Sequence, residues 1–152
     1  DPAVFRPVSG LWAVRGVTRV YYGASGDTPV PKDYDGDGTA DPAVFRESSG
    51  LWAVRSITRI YYGQEDDRAV PFDFAGQGTC GIALFRPVLG LWALRGTTRT
   101  YFGSDDDEPL PADYNRDGRD TIAVFRESSG LWALRSSSRL YYGTEGDIPL
   151  PR

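Results

Sequence analysis

Hydrophobic residues along the chain occur in short clusters separated by glycine, serine and charged residues. The clusters align without gaps in rows of 40: the rows begin DPAVFR, DPAVFR, GIALFR and TIAVFR, continue with GLWAVR or GLWALR, and reach YYG or YFG. A fixed period near 40 residues indicates a repeat architecture. The clusters are rich in β-branched and aromatic residues and lack a 3.6-residue apolar period, so they predict strands and not helices.

A fourth segment of the repeat carries prolines at alternate positions, as in TPVPKD, EPLPAD and IPLPR. The two proline nitrogens point to the same side of a strand and cannot donate hydrogen bonds, so this strand must lie at a sheet edge. We name the predicted strands A (TPVPKD), B (PAVFR), C (LWAVR) and D (TRVYYG). A four-stranded meander with a proline-marked edge, repeated every 40 residues, predicts the blades of a β-propeller.

The two ends of the sequence bear on how the propeller closes. The chain begins at a strand B and ends at a strand A, Leu150-Pro151-Arg152, which can complete the first blade. Closure within one chain gives four blades, exchange of ends between two chains gives eight, and a fragment of a longer array is a third reading. The predicted fold is all-β: one β-propeller domain over residues 1–152, with four-stranded antiparallel blades, repeats starting at 1, 41, 81 and 121, and closure by the C-terminal strand.

The amino-acid composition argues against several classes of function. The net charge of -4 argues against nucleic acid as a partner, and no apolar run approaches the roughly 20 residues of a membrane span. The chain contains no histidine, the commonest general base, and its single cysteine, Cys80, cannot form an internal disulfide. Glu47 and Glu127 recur in alternate rows and would lie opposite each other in a four-blade ring, too far apart for paired carboxylate chemistry. We therefore expect no enzyme activity.

The stretch DYDGDGTAD, residues 33–41, joins strands A and B and concentrates carboxylates around glycines. An oxygen-rich cage of this kind suits calcium, which accepts six to eight oxygen ligands in flexible geometry. An EF-hand would need a glutamate at the twelfth position, which is Val44, and a helix on each side. A solvated acidic turn without metal is the simpler alternative. The candidate ligands are Asp33, Asp35, Asp37, Asp41 and the backbone carbonyl of Thr39.

The corresponding loops of the other repeats depart from this pattern. In residues 73–81, Ala75, Gln77 and Gly81 replace three carboxylates, so we expect no metal there. In residues 113–121, Thr121 replaces the last aspartate and Arg119 stands where Thr39 does, so we expect a weaker calcium site. The candidate ligands of that site are Asp113, Asn115, Asp117 and Arg119.

The pattern D-x-D-x-D-G-x-x-D, followed directly by an apolar strand, resembles the FG-GAP and VCBS repeats, and DYDGDGTADPAVFRESSGLWAVR looks like their bacterial branch. The resemblance covers the whole chain. It implies a propeller of the kind found in integrin α subunits and in bacterial secreted and surface proteins, and hence an extracellular or cell-surface location. It also implies that Asp33, Asp35, Asp37, Thr39 and Asp41 take the calcium-ligand positions.

Two residue types recur in every repeat and have alternative interpretations. Trp12 and its three equivalents suit either core packing or the stacking of sugars, and we favour the core. The arginine of strand B lies toward the aspartate-rich D–A loops, whereas two further arginines flank each C–D turn. They suit either salt bridges between blades or a ring of guanidinium groups that holds an anionic or carbohydrate ligand. The ring would comprise Arg15, Arg19, Arg55, Arg59, Arg95, Arg99, Arg135 and Arg139.

These observations predict a calcium-stabilised extracellular β-propeller that serves as a binding or adhesion module, with a glycan or a protein as its ligand. The alternative is a structural, self-assembling repeat protein whose strands are exchanged into a larger ring or polymer. We expect one strong and one weaker calcium site, and either a monomeric ring or a head-to-tail homodimer. No partner is expected among nucleic acids, and no insertion into a membrane.

Overall fold

The computed structural model describes residues 2–150, which form short antiparallel strands and three 3₁₀ turns. No α-helix occurs in this range, as the sequence predicts, and none of its helical segments is long and apolar enough to cross a bilayer. The strands are β1 (Ala3–Arg6), β2 (Leu11–Val14), β3 (Thr18–Tyr21), β4 (Thr28–Pro29), β5 (Ala43–Arg46), β6 (Leu51–Val54), β7 (Thr58–Tyr61), β8 (Arg68–Ala69), β9 (Ala83–Arg86), β10 (Leu91–Leu94), β11 (Thr98–Tyr101), β12 (Asp107–Pro109), β13 (Ala123–Arg126), β14 (Leu131–Leu134) and β15 (Arg139–Tyr141). The 3₁₀ turns are η1 (Glu47–Ser49), η2 (Pro87–Leu89) and η3 (Glu127–Ser129).

The strands form four antiparallel sheets in which sequence neighbours pair, and these sheets are β-propeller blades. The first blade is β1–β3, the second β4–β7, the third β8–β11 and the fourth β12–β15. Two compact units, Asp1–Asp67 and Arg68–Arg152, contain two blades each. The predicted all-β fold and its propeller blades are therefore confirmed.

Strand A lies at the edge of its sheet, as its prolines predict, but it is shorter than the TPVPKD segment. In the second blade, β4 pairs through Thr28 with Phe45 and through Pro29 with Val44, and an isolated bridge joins Lys32 to Asp41. Between them the Val30 N–H donates to the Ala43 carbonyl oxygen at 2.9 Å, so the proline nitrogens on either side of Val30 face away from strand B, toward the free edge.

The spacing between GLW and YYG or YFG is the same in all four repeats, and it has a structural cause at the B–C turn. Gly50 has a φ of 64°, and a Cβ placed on it would lie 2.5 Å from the carbonyl oxygen of Gly63, at the end of strand D. The Tyr62 N–H donates to the Gly50 carbonyl oxygen at 2.8 Å in the same place. The two segments approach so closely that only glycine fits at position 50.

The recurring tryptophans belong to the core. Trp52 and Trp92 are fully buried, Trp12 is buried and Trp132 is half-buried. Trp92 packs against Phe85, with ring centroids 5.2 Å apart, and its indole N–H donates to the Phe102 carbonyl oxygen at 2.9 Å. The interpretation as core residues is thus confirmed for the three buried tryptophans.

The first blade has three strands, and no described residue forms a fourth strand beside β1. Ile148 and Leu150, in the segment predicted to close the propeller, are each 83% exposed and belong to no strand. The remainder of that predicted strand, Pro151 and Arg152, lies outside the described residues, so closure stays a prediction.

Candidate metal centre and arginine positions

The loop of residues 33–41 brings three carboxylates together. Asp33, Asp35 and Asp37 each place one carboxylate oxygen within 4.8 Å of the others; Asp33 is half-buried and the other two are exposed. The backbone N–H groups of Gly36 and Gly38 donate to the two Asp33 oxygens at 2.6 and 2.8 Å. The Asp33 side chain therefore stabilises the turn, and Asp35 and Asp37 belong to the residues that form it.

The fourth candidate carboxylate, Asp41, is held beside this group. Its Oδ2 accepts a hydrogen bond from the Tyr34 backbone N–H at 2.9 Å. Burial raises the pKa of Asp41, the Tyr34 hydrogen bond opposes this, and the negative charges of Asp35, Asp37 and Asp33 raise the pKa further. The carboxylates of the loop thus repel one another, and a bound cation would turn that repulsion into attraction.

The Thr39 backbone closes the turn. Its N–H donates to Asp37 Oδ1 at 2.7 Å, and the Asp37 N–H donates to Asp35 Oδ1 at 3.1 Å. Each carboxylate thus uses one oxygen on the backbone two residues ahead, as aspartate does in an Asx-turn. Within residues 2–150, the second oxygen of Asp35 and of Asp37 accepts no such backbone hydrogen bond and can face a cation.

The same turn forms in the loop of residues 73–81, which lacks those carboxylates. The Gly76 and Gly78 N–H groups donate to the two oxygens of Asp73, both at 2.7 Å, as Gly36 and Gly38 do to Asp33. The shape of the loop therefore depends on its first aspartate and not on the acidic residues that follow. This independence makes the loop of residues 73–81 a natural control for metal binding.

The loop of residues 113–121 has an intermediate character. Asp113 Oδ2 accepts from the Gly118 N–H at 2.9 Å, which repeats the turn. The Asn115 side-chain amide donates to Asp117 at 2.9 Å, and this bond, together with one from the Arg119 N–H, lowers the pKa of Asp117. The Asn115 amide therefore occupies an oxygen of Asp117. In the loop of residues 33–41, the equivalent Asp35 has no N–H to donate and leaves the corresponding oxygen of Asp37 available. This difference agrees with the expectation of a weaker cation site in residues 113–121.

A bond between neighbouring loops escapes sequence reasoning. In the second unit, Asp120 Oδ2 accepts from the Asp73 backbone N–H at 2.8 Å, and the Asp120 N–H donates to the Asp73 carbonyl oxygen at 2.9 Å. Asp120 stands where the other rows have Ala40 and Cys80. That substitution is the signal in the sequence, but its partner belongs to another blade and only the structure identifies it.

The arginines divide into two groups. On strand B, Arg46 pairs with buried Asp27 at 2.7 Å and Arg126 pairs with buried Asp107 at 2.8 Å. The hydrogen bond that each arginine donates to its aspartate raises the pKa of the arginine. Salt bridges of these arginines were predicted between blades, but both pairs lie within one blade: Asp107 begins β12 beside Arg126 on β13, and Asp27 directly precedes β4 beside Arg46 on β5.

The arginines of the C–D turns are different, because all eight are exposed. In the first unit, Arg59 and Arg55 lower the pKa of the Tyr22 hydroxyl, although burial raises it more strongly, so these guanidinium groups act on a side chain of the neighbouring blade. None of the eight forms an ion pair with a carboxylate in the part of the chain that the structure describes.

A cavity of about 580 Å³ lies on the fourth blade, beside Trp132, Tyr142 and Arg135. Aromatic rings next to polar groups suit carbohydrate, which would favour the lectin interpretation of this tryptophan. However, the equivalent Trp92 is buried in one cluster with residues of the following blade. The cavity therefore lies on a face of the fourth blade whose equivalent on the third blade is covered by the following blade.

Blades and acidic loop together define a β-propeller protein with a candidate cation site at one A–B turn. The chain matches no protein-family model, no curated protein and no solved structure in the comparisons made.

Proposed function

We propose that the protein is a calcium-stabilised extracellular β-propeller that acts as a binding or adhesion module. The observation that carries the proposal is the group of Asp33, Asp35 and Asp37 oxygens within 4.8 Å of one another. The resemblance of this loop to FG-GAP and VCBS repeats supports the same assignment.

The donor set fits calcium better than other metals. Calcium takes carboxylate, carbonyl and water oxygens at flexible angles, whereas transition metals favour nitrogen or sulfur ligands. Asp33, Asp35, Asp37, Asp41 and the Thr39 carbonyl would hold the ion. Extracellular modules bind calcium with dissociation constants of about 0.1–1 mM. At the millimolar calcium of an extracellular setting, a site with such a constant would stabilise the fold by roughly 0.4–1.4 kcal/mol.

The sharpest test is Asp35→Asn. Asparagine keeps the oxygen that accepts the Asp37 N–H, as Asn115 does from the Asp117 N–H at 3.2 Å, but removes one negative charge. We expect the variant to fold as the wild type does in chelator and to lose most of the stabilisation that calcium gives the wild type. Melting temperature with calcium and with chelator, together with calorimetric titration, measures both effects.

The loop of residues 73–81 supplies the matched control. Gln77→Ala changes the position equivalent to Asp37 and leaves the Asp73 hydrogen bonds in place. We expect it to leave the calcium response unchanged. A wild-type melting temperature that is indifferent to calcium would refute the metal assignment, and an equal loss of response in both variants would refute its location.

For the ligand, the proposal rests on the exposed arginines of the C–D turns, which suit an anionic or carbohydrate partner or an acidic protein surface. Screening against sulfated and neutral glycans tests this directly. In the first unit, Arg55→Gln with Arg59→Gln should reduce binding of an anionic glycan without changing the melting temperature. No nucleophile or base arrangement in the described chain suggests a reaction, so we propose no enzyme activity.

A further inference from the structure

A cavity of about 290 Å³ lies within the first unit, between the first blade and the second. The first blade lines it with Tyr21, at the end of β3, and with the following Tyr22. The second blade lines it with one face of its sheet, on which Ala53 of β6 pairs with Arg59 of β7. Small-molecule sites begin at volumes of about 300 Å³, so the cavity has room for one small ring.

The lining combines an apolar floor with an aromatic rim. Val44, Leu51 and Ala53 line the cavity and are buried. The Tyr21 side chain also lines it but is 73% exposed. This exposure belongs to the position in the repeat, because the equivalent Tyr101 is 70% exposed although another blade follows it in the second unit. An exposed aromatic ring beside an apolar floor suits the C–H face of a sugar.

The charges around the cavity do not cancel. Asp27 and Arg46 both line it and neutralise each other in an ion pair at 2.7 Å. Arg59 is the third charged residue of the lining; it is exposed and forms no ion pair with a carboxylate among residues 2–150. The lining therefore carries one uncompensated positive charge, which one singly charged anion would balance.

Two hydrogen-bond donors of the lining lack a protein acceptor. Arg46 donates to Asp27 from Nε at 2.7 Å and from Nη2 at 3.1 Å, whereas its Nη1 meets no acceptor among the described residues. The Tyr22 hydroxyl likewise donates to no residue from 2 to 150. Burial raises the pKa of Tyr22 more than Arg59 and Arg55 lower it, so the hydroxyl keeps its proton at neutral pH. Both donors can therefore reach an anion in the cavity.

The second unit carries different residues at these positions. Phe102 replaces Tyr22 and has no hydroxyl, and Ser104 replaces Ala24. The Ser104 hydroxyl accepts a hydrogen bond from Arg126 Nη2 at 3.0 Å, in addition to the ion pair of that arginine. The protein itself thus uses more of the donors of Arg126 than of the equivalent arginine in the first unit. We therefore expect the first unit to bind an anion better.

We propose that this cavity of the first unit binds a sugar that carries one carboxylate or sulfate group. The acid group would contact Arg59, the Tyr22 hydroxyl and Arg46, and the sugar ring would lie against Tyr21 and the apolar floor. A carboxylate alone, such as that of an acidic protein side chain, would leave the floor and the Tyr21 ring unused. The proposal rests on the binding function proposed above and names the class of its ligand.

NMR titration of the whole chain with four small probes tests the ligand class. The probes are glucuronic acid, glucose 6-sulfate, glucose and acetate. We expect each acidic sugar to bind about tenfold or more tightly than glucose or acetate, because acid group and ring both contribute. Glucose that bound as tightly as the acidic sugars would overturn the role of the anion. Acetate that bound as tightly would overturn the role of the ring and indicate a site for any carboxylate.

Three variants test the location. Tyr22→Phe, which introduces the residue of the second unit, and Arg59→Gln should each weaken the binding of glucuronic acid about tenfold or more, since each removes a hydrogen bond to a charged group. Lys32→Gln removes one positive charge from an exposed residue of the same unit that does not line the cavity, and should bind as the wild type does. The melting temperature at neutral pH should be the same in all three, which separates lost binding from unfolding.

The possible failures can be told apart. An equal loss of binding in Lys32→Gln would indicate an effect of overall charge and would overturn the site. Acidic sugars that bound the wild type and both cavity variants equally would overturn the site and leave the binding function in place. A wild type that bound none of the acidic sugars would also overturn the site, while the calcium response of the melting temperature and the glycan screen would still test the proposed function.

Discussion

The ion pair of Asp107 and Arg126 allows us to predict which of the two residues contributes more to the free energy of unfolding. The Asp107 side chain is 1% exposed and the Arg126 side chain is 35% exposed. Asp107 accepts hydrogen bonds from Arg126 Nε at 2.8 Å and Nη2 at 3.1 Å, and from the Ser104 N–H at 2.9 Å. The carboxylate depends on the protein for its partners, whereas water reaches part of the guanidinium.

Arg126→Met keeps most of the aliphatic stem but leaves the buried carboxylate without its cation. Removal of one partner from a buried pair costs about 3–5 kcal/mol, so we expect a loss of unfolding free energy in that range. Asp107→Ala leaves a guanidinium that water can solvate, so its cost should be nearer about 2 kcal/mol. The double variant should resemble Asp107→Ala, because the arginine has little to stabilise once the carboxylate is gone.

Urea unfolding followed by tryptophan fluorescence measures the three free energies, with the m-value checked for constancy. The double-mutant cycle then isolates the coupling between the two residues. The equivalent pair, Asp27 and Arg46, provides a replicate in the first unit and should give the same order. If Asp107→Ala cost as much as Arg126→Met, or if the double variant were simply additive, the argument from unequal exposure would be wrong.

Three further predictions follow from single positions. Ser56 has a φ of 63°, where rows one and three have glycine, so Ser56→Gly should raise the unfolding free energy by up to about 1 kcal/mol in a urea titration. Gly50→Ala should unfold the protein or lower its melting temperature severely, because the new Cβ would lie 2.5 Å from the Gly63 carbonyl oxygen. Burial raises the pKa of Tyr22, so its contribution to stability is present below pH 10 and is lost as the pH rises through the raised pKa. Tyr22→Phe, which introduces the residue found at position 102, should remove this part of the alkaline destabilisation; an unchanged pH profile would contradict the assignment.

Much of the fold could be predicted from the sequence because the repeat places the same pattern in every blade. The strand order and the edge position of strand A follow from local residues, above all from Pro29 and Pro31. The 3₁₀ turn at Glu47–Ser49 was not predicted, although the following Gly50, with its left-handed backbone, shows where that turn ends. Local patterns identified the elements better than their bounds.

The candidate site likewise has features that the local sequence predicts and features that depend on the packing of blades. The ligand positions from Asp33 to Asp41 can be read from spacing, because a loop of nine residues brings them together by its own turn. The bond from Asp120 to Asp73 could not be read, because it joins loops 47 residues apart through the packing of two blades. The unequal burial of Trp92 and Trp132 cannot be read for the same reason: both stand in the segment GLWALR, which gives no information about which neighbouring blade covers the ring.

The turn held by the first aspartate of each loop has an evolutionary consequence. Asp33, Asp73 and Asp113 each bind the backbone five residues ahead, at 2.8, 2.7 and 2.9 Å, whatever acidic residues stand between. Point mutations can therefore change the acidic residues of one repeat without disturbing its turn. A tandem gene of this kind can vary the charge of its loops copy by copy while its architecture is inherited unchanged.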